Sequence, residues 1–102
     1  MDFGCGEGGF VIGMASKVDC FAEGVDIQSQ FEVAEDFILK NNIKNTKFHL
    51  GSSKILKDAS YDVIISHDSF EHFEHPDAIL DEMVRLVKPN GYILIKFGQT
   101  QH

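Results

Sequence analysis

Short apolar runs alternate with helically spaced apolar residues along this chain, a pattern that predicts a parallel sheet covered by helices. Met1 to Phe3 read as the last turn of a strand feeding a glycine loop, after which Phe10, Val11, Met14 and Ala15 recur at helical spacing. The run CFAEGVDI predicts a second strand ending at Asp26. Ser29, followed three residues later by Glu32, forms a capping box that starts a helix. Ala34, Phe37 and Ile38 supply that helix's buried face, and KNN ends it. TKFHL is a third strand, after which GSS turns the chain. YDVIIS is dense in β-branched residues and apolar enough to be covered on both faces, as expected of a fourth strand. Pro76 suits the first turn of a helix in which Ile79, Leu80, Met83, Val84 and Val87 repeat at intervals of three and four. That helix stops at KPNG, and YILIKF is a fifth strand.

The loop after the first strand, DFGCGEGGF, fits two patterns at once. Gly4, Gly6 and Gly8 make a GxGxG run, whereas Gly4, Gly6 and Gly9 make the GxGxxG of a dinucleotide site. In an open α/β sheet, ligands bind beyond the carboxyl ends of the strands, and both the loop and Asp26 belong there. A carboxylate ending the second strand can accept two hydrogen bonds from ribose hydroxyls. Nicotinamide cofactors and S-adenosylmethionine both carry that ribose, so the glycines and Asp26 leave the choice open.

Composition narrows the field of partners. The formal charge of −7 comes from 9 Lys plus Arg against 16 Asp plus Glu, and an acidic chain repels phosphate backbones unless its basic residues cluster. Lys40, Lys44, Lys47, Lys54 and Lys57 come closest to a cluster but are interrupted by polar and apolar residues. No nucleic-acid partner is expected. Cys5 and Cys20 have no CxxC or Cys/His ligand spacing, so a disulfide framework and a zinc site are not signalled and a reducing cytoplasm fits. No apolar run approaches the roughly 18–20 residues of a membrane span, and no membrane partner is expected. Hydrophobic residues make up 43% of the chain, which is ordinary for a globular domain. Phe10, Phe21, Phe31, Phe37 and Phe48 fall mostly on predicted strands or buried helix faces, so core packing is their expected role.

The remaining segments separate the two cofactor readings. Asp2 precedes the first glycine by two residues, giving DxGxGxG, where a dinucleotide fingerprint usually has an apolar strand residue. YDVIISHDSFEH, a Pro-led amphipathic helix and LVKPNGYILI follow in order. Together these resemble the class I S-adenosylmethionine-dependent methyltransferases of the type 11-like group, whose fourth strand leads into an LEH-like segment, here Phe70, Glu71 and His72. The resemblance runs from Asp2 to about Phe97. It implies a Rossmann-like α/β core with a mostly parallel sheet of strand order 3-2-1-4-5 and helices on both faces. It implies too that residues 1–102 form one partial domain lacking the sixth and seventh strands, marginal alone, with an exposed sheet edge that a partner chain could cover.

By the same resemblance, Gly4, Gly6 and Gly8 face the methionine and ribose portions of S-adenosylmethionine. Asp2 lies near its amino group, Asp26 on the ribose hydroxyls and Ile27 against the adenine. Many relatives carry an acidic residue after the third strand, where this chain has Gly51, Ser52 and Ser53. Ser52 can still accept one neutral hydrogen bond from the adenine amino group, weaker than a charge-assisted one. The carbonyls of Ser66 and His67 would lie near the methionine amino group. Cys5 belongs to the cofactor loop by position, and its thiol is expected to pack beneath it, with no base or resolving thiol in evidence.

The segment SHDSFEHFEH admits a general-base cluster, a metal site or a turn whose polar residues satisfy backbone groups. In the resembled group His72 is structural or borders the substrate. Some relatives with a carboxylate three residues before a Glu-His pair bind magnesium, and Asp68, Glu71 and His72 have that spacing, but a nitrogen ligand is unusual for a hard cation. No metal is expected. If the acceptor is a hydroxyl, His72 or His67 is the candidate base, since imidazole titrates near neutrality. The expected activity is methyl transfer to a small-molecule acceptor. Its rivals are a non-catalytic S-adenosylmethionine-binding module and an NAD(P)-dependent oxidoreductase.

Overall fold

The apolar runs pair as five strands and the helically spaced segments form three helices. In a computed structural model of the chain, residues 1–27, 30–67 and 74–96 are described. The strands are β1 (Asp2–Phe3), β2 (Ala22–Asp26), β3 (Thr46–Leu50), β4 (Tyr61–His67) and β5 (Val87–Lys96). The helices are α1 (Gly9–Lys17), α2 (Glu32–Lys40) and α3 (Pro76–Leu86), with a 3-10 turn at Ser53–Ile55. Strands β1 and β2, β2 and β3, and β4 and β5 pair in parallel, and the sheet order is β3-β2-β1-β4-β5. This is the Rossmann-like order expected. The chain divides into two compact units, Met1–Ser52 and Ser53–His102.

In the first unit, α1 packs on β2 and β3. Cys5, Val11, Ala15, Ala22 and Phe31 form its buried core, with Met14, Cys20, Ile43 and Phe48 against them. Gly24 is where the backbone of β2 comes closest to that layer: a Cβ there would lie 2.6 Å from the Cys5 sulfur and 3.0 Å from Val11 Cγ2. Asn45 fastens the far end, its Nδ2 donating to the carbonyls of Ala15 and Cys20 at 2.9 Å each. Phe31 and Phe48 stack with ring centroids 5.0 Å apart. Phe10, Phe21 and Phe37 are exposed, so only part of the expected aromatic core forms. On α2 the buried position is Ala34. Phe37, three residues on, is exposed.

The expected capping box is corrected too. Helix α2 begins at Glu32 with Phe31 as its cap and no side-chain cap bond, so Glu32 stands in the first turn rather than three residues into the helix. Phe31, at the cap position, is buried and stacks on Phe48. Ser29 lies outside the described residues.

In the second unit, α3 packs on β4 and β5, and Pro76 opens it as expected. Its buried residues are Met83 and Leu86, both with no exposure, together with Ile64 of β4. Each contributes about 1.5–3 kcal/mol by burial. Leu80 and Val84 are exposed, a correction to the apolar stripe read from spacing. The inward stripe runs 79, 82, 83, 86, one position round the helix from 80 and 84. Strand β5 starts earlier than expected, pairing Val87 with Tyr61, and then slips out of register before Tyr92 pairs with Val63. The KPNG residues form this irregularity, with Asn90 at a φ of 71°. A Cβ on Gly91 would lie 2.7 Å from the Asp62 carbonyl oxygen, which fixes glycine there.

Candidate functional site

The loop between β1 and α1 is shaped by its own backbone. Gly4 and Cys5 amides both donate to the Val25 carbonyl, at 2.8 and 3.1 Å, and the Gly8 amide donates to the Cys5 carbonyl at 3.1 Å. Gly4, Gly6 and Gly8 all lie in the left-handed region, at φ of 76°, 57° and 94°. A left-handed conformation costs an ordinary residue about 1–2 kcal/mol, which glycine escapes. Gly8 is constrained twice, because a Cβ there would also sit 2.5 Å from the Phe48 ring.

Gly9 has neither constraint. It is the first residue of α1, is absent from the positive-φ glycines, and has open space where a Cβ would be. A dinucleotide fingerprint needs its third glycine for close helix-strand packing. The loop therefore has the geometry of GxGxG, with Gly4, Gly6 and Gly8 as the working set.

Asp26 ends β2, and its Oδ2 accepts the Gly6 amide at 3.0 Å. The carboxylate thus braces the middle of the glycine loop, a role the sequence does not announce. A carboxylate accepts at about four lone-pair sites. Beside it Ile27 is 71% exposed, an apolar surface next to a charged group at the strand end. The Gly51 amide donates to the Asp26 carbonyl at 2.9 Å, which brings the turn after β3, with exposed Ser52, alongside the end of β2. Asp2 is buried in β1.

These carboxylates set the electrostatics of the loop. Burial first, then Asp2 and Asp26, push the Cys5 thiol from 9.0 up to about 12, while a backbone hydrogen bond works weakly the other way. Cys5 is consequently a protonated, buried thiol at neutral pH, without the thiolate that nucleophilic chemistry needs. Two acidic groups at a glycine loop favour a cationic ligand over a pyrophosphate.

In the second unit, Ser66 and His67 end β4, where Ser66 is fully buried and His67 pairs in register with Lys96. His72, Asp68 and Glu71, the candidates for a base or a metal, lie outside the described residues. Among the described residues no group of three His, Cys, Asp or Glu is placed to hold a metal, and no helix is long and apolar enough to cross a membrane.

Three features escaped the sequence reading. Glu23 and His49, on adjacent strands, meet at 2.7 Å. Phe48 underlies Gly8. Glu82 and Arg85 of α3 tie that helix to the segment following Ser52 through Ser53, Leu56 and Asp58.

Comparison with known proteins agrees with this geometry. Residues 1–101 match the family described as "Methyltransferase domain". An uncharacterized methyltransferase of Schizosaccharomyces pombe is 30% identical, over 94% of this chain and 38% of that protein. A ubiquinone biosynthesis O-methyltransferase of Neisseria meningitidis is 31% identical, over 91% of this chain and 41% of that protein. Phosphoethanolamine N-methyltransferase 2 of Haemonchus contortus, solved in complex with S-adenosyl-L-methionine, superposes with a TM-score of 0.83 at 26% identity, covering 92% of this chain and 23% of that one. The chain spans about two fifths of the length of the curated relatives it matches.

Proposed function

Because the chain belongs to the methyltransferase domain family, we propose that it is the cofactor-binding core of an S-adenosylmethionine-dependent methyltransferase acting on a small-molecule acceptor. The observation that carries this reading is the glycine loop: left-handed at Gly4, Gly6 and Gly8, ordinary at Gly9, and braced by the Asp26 carboxylate. The H. contortus neighbour, in complex with S-adenosyl-L-methionine, supports the same cofactor.

S-adenosylmethionine supplies a methyl group activated by a sulfonium charge. The chain's residues bind and orient it. Asp26 takes the ribose hydroxyls, Asp2 faces the α-amino group, Ile27 lies against the adenine, and Ser52 accepts from the adenine amino group. The loop carbonyls and the two carboxylates favour the positive charge. Alignment of donor and acceptor in line is worth several kcal/mol of the barrier. A base enters only where the acceptor must lose a proton, and His67 or His72 takes that role for a hydroxyl acceptor.

Calorimetric titration with S-adenosylmethionine, S-adenosylhomocysteine and NADH tests the cofactor assignment. The first two are expected to bind at micromolar affinity and NADH not at all. Binding of NADH alone would overturn it. Release of S-adenosylhomocysteine in the presence of small hydroxyl or amine acceptors then tests catalysis, and tight binding with no turnover across such a panel would reduce the chain to a binding module.

A further inference from the structure

The glycine loop is fastened differently at its two ends. Its entry is bonded to β2, since the Gly4 and Cys5 amides donate to the Val25 carbonyl and the Gly6 amide donates to Asp26 Oδ2 at 3.0 Å. The bonds at its exit are local: the Gly8 amide donates to the Cys5 carbonyl at 3.1 Å, and the Ile12 amide donates to the Gly8 carbonyl at 3.0 Å as α1 begins. Gly4, Gly6 and Gly8 have no side chains with which to hold a left-handed shape, and glycine loses more conformational freedom on ordering than any other residue. The exit takes its position from what packs against it.

That neighbour is Phe48 of β3. A Cβ on Gly8 would lie 2.5 Å from Phe48 Cε1 and 2.8 Å from its Cζ, with the Ala34 Cβ next at 3.4 Å, so the far edge of the ring abuts the Gly8 backbone. Gly6, by contrast, has nothing within 4 Å of a Cβ position and faces open space. The Phe48 ring is itself backed by Phe31, with centroids 5.0 Å apart and planes inclined by 29°. Phe31 is buried at the cap of α2, and its carbonyl accepts the Glu35 amide at 2.8 Å. Gly8, Phe48, Phe31 and Ala34 all belong to the first compact unit. The contact from α2 through β3 to the loop is therefore continuous.

We infer that Phe48 is a positioning residue for the cofactor loop: its ring edge is the floor on which Gly8 rests, and it sets how far the loop exit stands toward the methionine portion of the ligand. The inference rests on the S-adenosylmethionine reading above and adds to it a residue that touches no ligand. Phe48→Leu removes Cε1 and Cζ and leaves a gap beneath Gly8, into which a loop of glycines settles. The methionine portion then loses a loop contact. Asp26 is carried by β2 and keeps the ribose hydroxyls.

The test compares, by calorimetry on the intact protein, S-adenosylhomocysteine with 5′-methylthioadenosine, which has the same nucleoside without the amino-acid portion. Phe48→Leu is expected to weaken S-adenosylhomocysteine by roughly three- to tenfold, the size of one neutral hydrogen bond, and 5′-methylthioadenosine by less than about twofold. A merely structural loss would lower the binding-competent fraction and weaken both ligands by the same factor. Phe48→Met, which nearly keeps the core volume but not the flat ring edge, makes the same comparison should the leucine variant not melt cooperatively. Thermal melting adds a second readout: Gly8→Ala is expected to cost less in the Phe48→Leu background than in the wild-type one, because the leucine vacates the space that the new Cβ needs. An unchanged ratio of the two affinities in a cooperatively melting variant, or equal costs of Gly8→Ala in the two backgrounds, would overturn the inference. Failure of the wild-type protein to bind either compound would instead overturn the cofactor reading, and the melting comparison would still report on the floor.

Discussion

Asp26 does two things with one carboxylate, and its substitutions should separate them. It braces the glycine loop through the Gly6 amide and, in the proposed complex, accepts from the ribose. Asp26→Ala removes both roles and should weaken S-adenosylmethionine binding by at least about tenfold, since hydrogen bonds to a charged group are worth about 1.5–3 kcal/mol each. Asp26→Asn keeps an oxygen for the Gly6 amide and should lose less. Equal affinities for all three proteins in calorimetry would remove Asp26 from the site. Cys5 gives a pH test of the same acidic loop. The thiol ionises from 9.0 in the unfolded chain but only near 12 in the fold, so between those values the unfolded state binds fewer protons. Stability from this group is fully present below pH 9 and falls as pH rises, by at most about 1.4 kcal/mol per pH unit. Urea unfolding at pH 8 and pH 10 should show a smaller loss for Cys5→Ala than for the wild-type protein. Identical losses would mean that neither burial nor the nearby carboxylates act on the thiol.

At the scale of elements, the junction of β1 and α1 carries the sharpest contrast. Gly8→Ala forces a side chain into a φ of 94° and against the Phe48 ring. The expected cost is about 2–4 kcal/mol, roughly 1–2 from the left-handed backbone and the rest from overpacking. Gly9→Ala meets open space at an ordinary helical position and should be neutral or stabilising by about 0.5–1 kcal/mol. Thermal melting of the two variants decides which glycine pattern the loop uses, and equal behaviour would contradict the geometry described. The sequence could not make that choice, because both patterns share Gly4 and Gly6 and the deciding quantity is a backbone angle. The strands were more legible: TKFHL forms β3 without a residue's difference, since its ends are marked by a turn on either side. Helix faces were less so. Ile79, Leu80, Met83 and Val84 satisfy a helical period on two adjacent stripes, and only packing against β4 and β5 selects the stripe ending at Leu86. Glu82 and Arg85 were not legible at all, because hydrogen bonds to Ser53, Leu56 and Asp58 are long-range and leave no period in the chain.

For the molecule as a whole, charge makes opposite demands on fold and ligand. A formal charge of −7 over 102 residues repels itself in the compact state. The same excess, concentrated at the loop by Asp2 and Asp26, attracts a ligand with one net positive charge. S-adenosylmethionine is such a ligand, with a sulfonium and an ammonium against one carboxylate, whereas S-adenosylhomocysteine lacks the sulfonium charge and is neutral overall. Raising ionic strength from about 0.01 to about 0.15 M shortens the screening length from about 30 to about 8 Å. The repulsion then weakens, and the melting midpoint should rise by a few degrees, since about 1 kcal/mol shifts a domain of this size by roughly 4–8 °C. Affinity for S-adenosylmethionine should fall by roughly threefold over the same range, with S-adenosylhomocysteine nearly unchanged, because only the cation loses a screened attraction. Scanning calorimetry and titration at the two salt concentrations measure both. Equal salt dependence for the two ligands would show that the acidic loop does not read the sulfonium charge, and would leave shape and hydrogen bonding at Asp26, Ile27 and Ser52 as the sources of recognition.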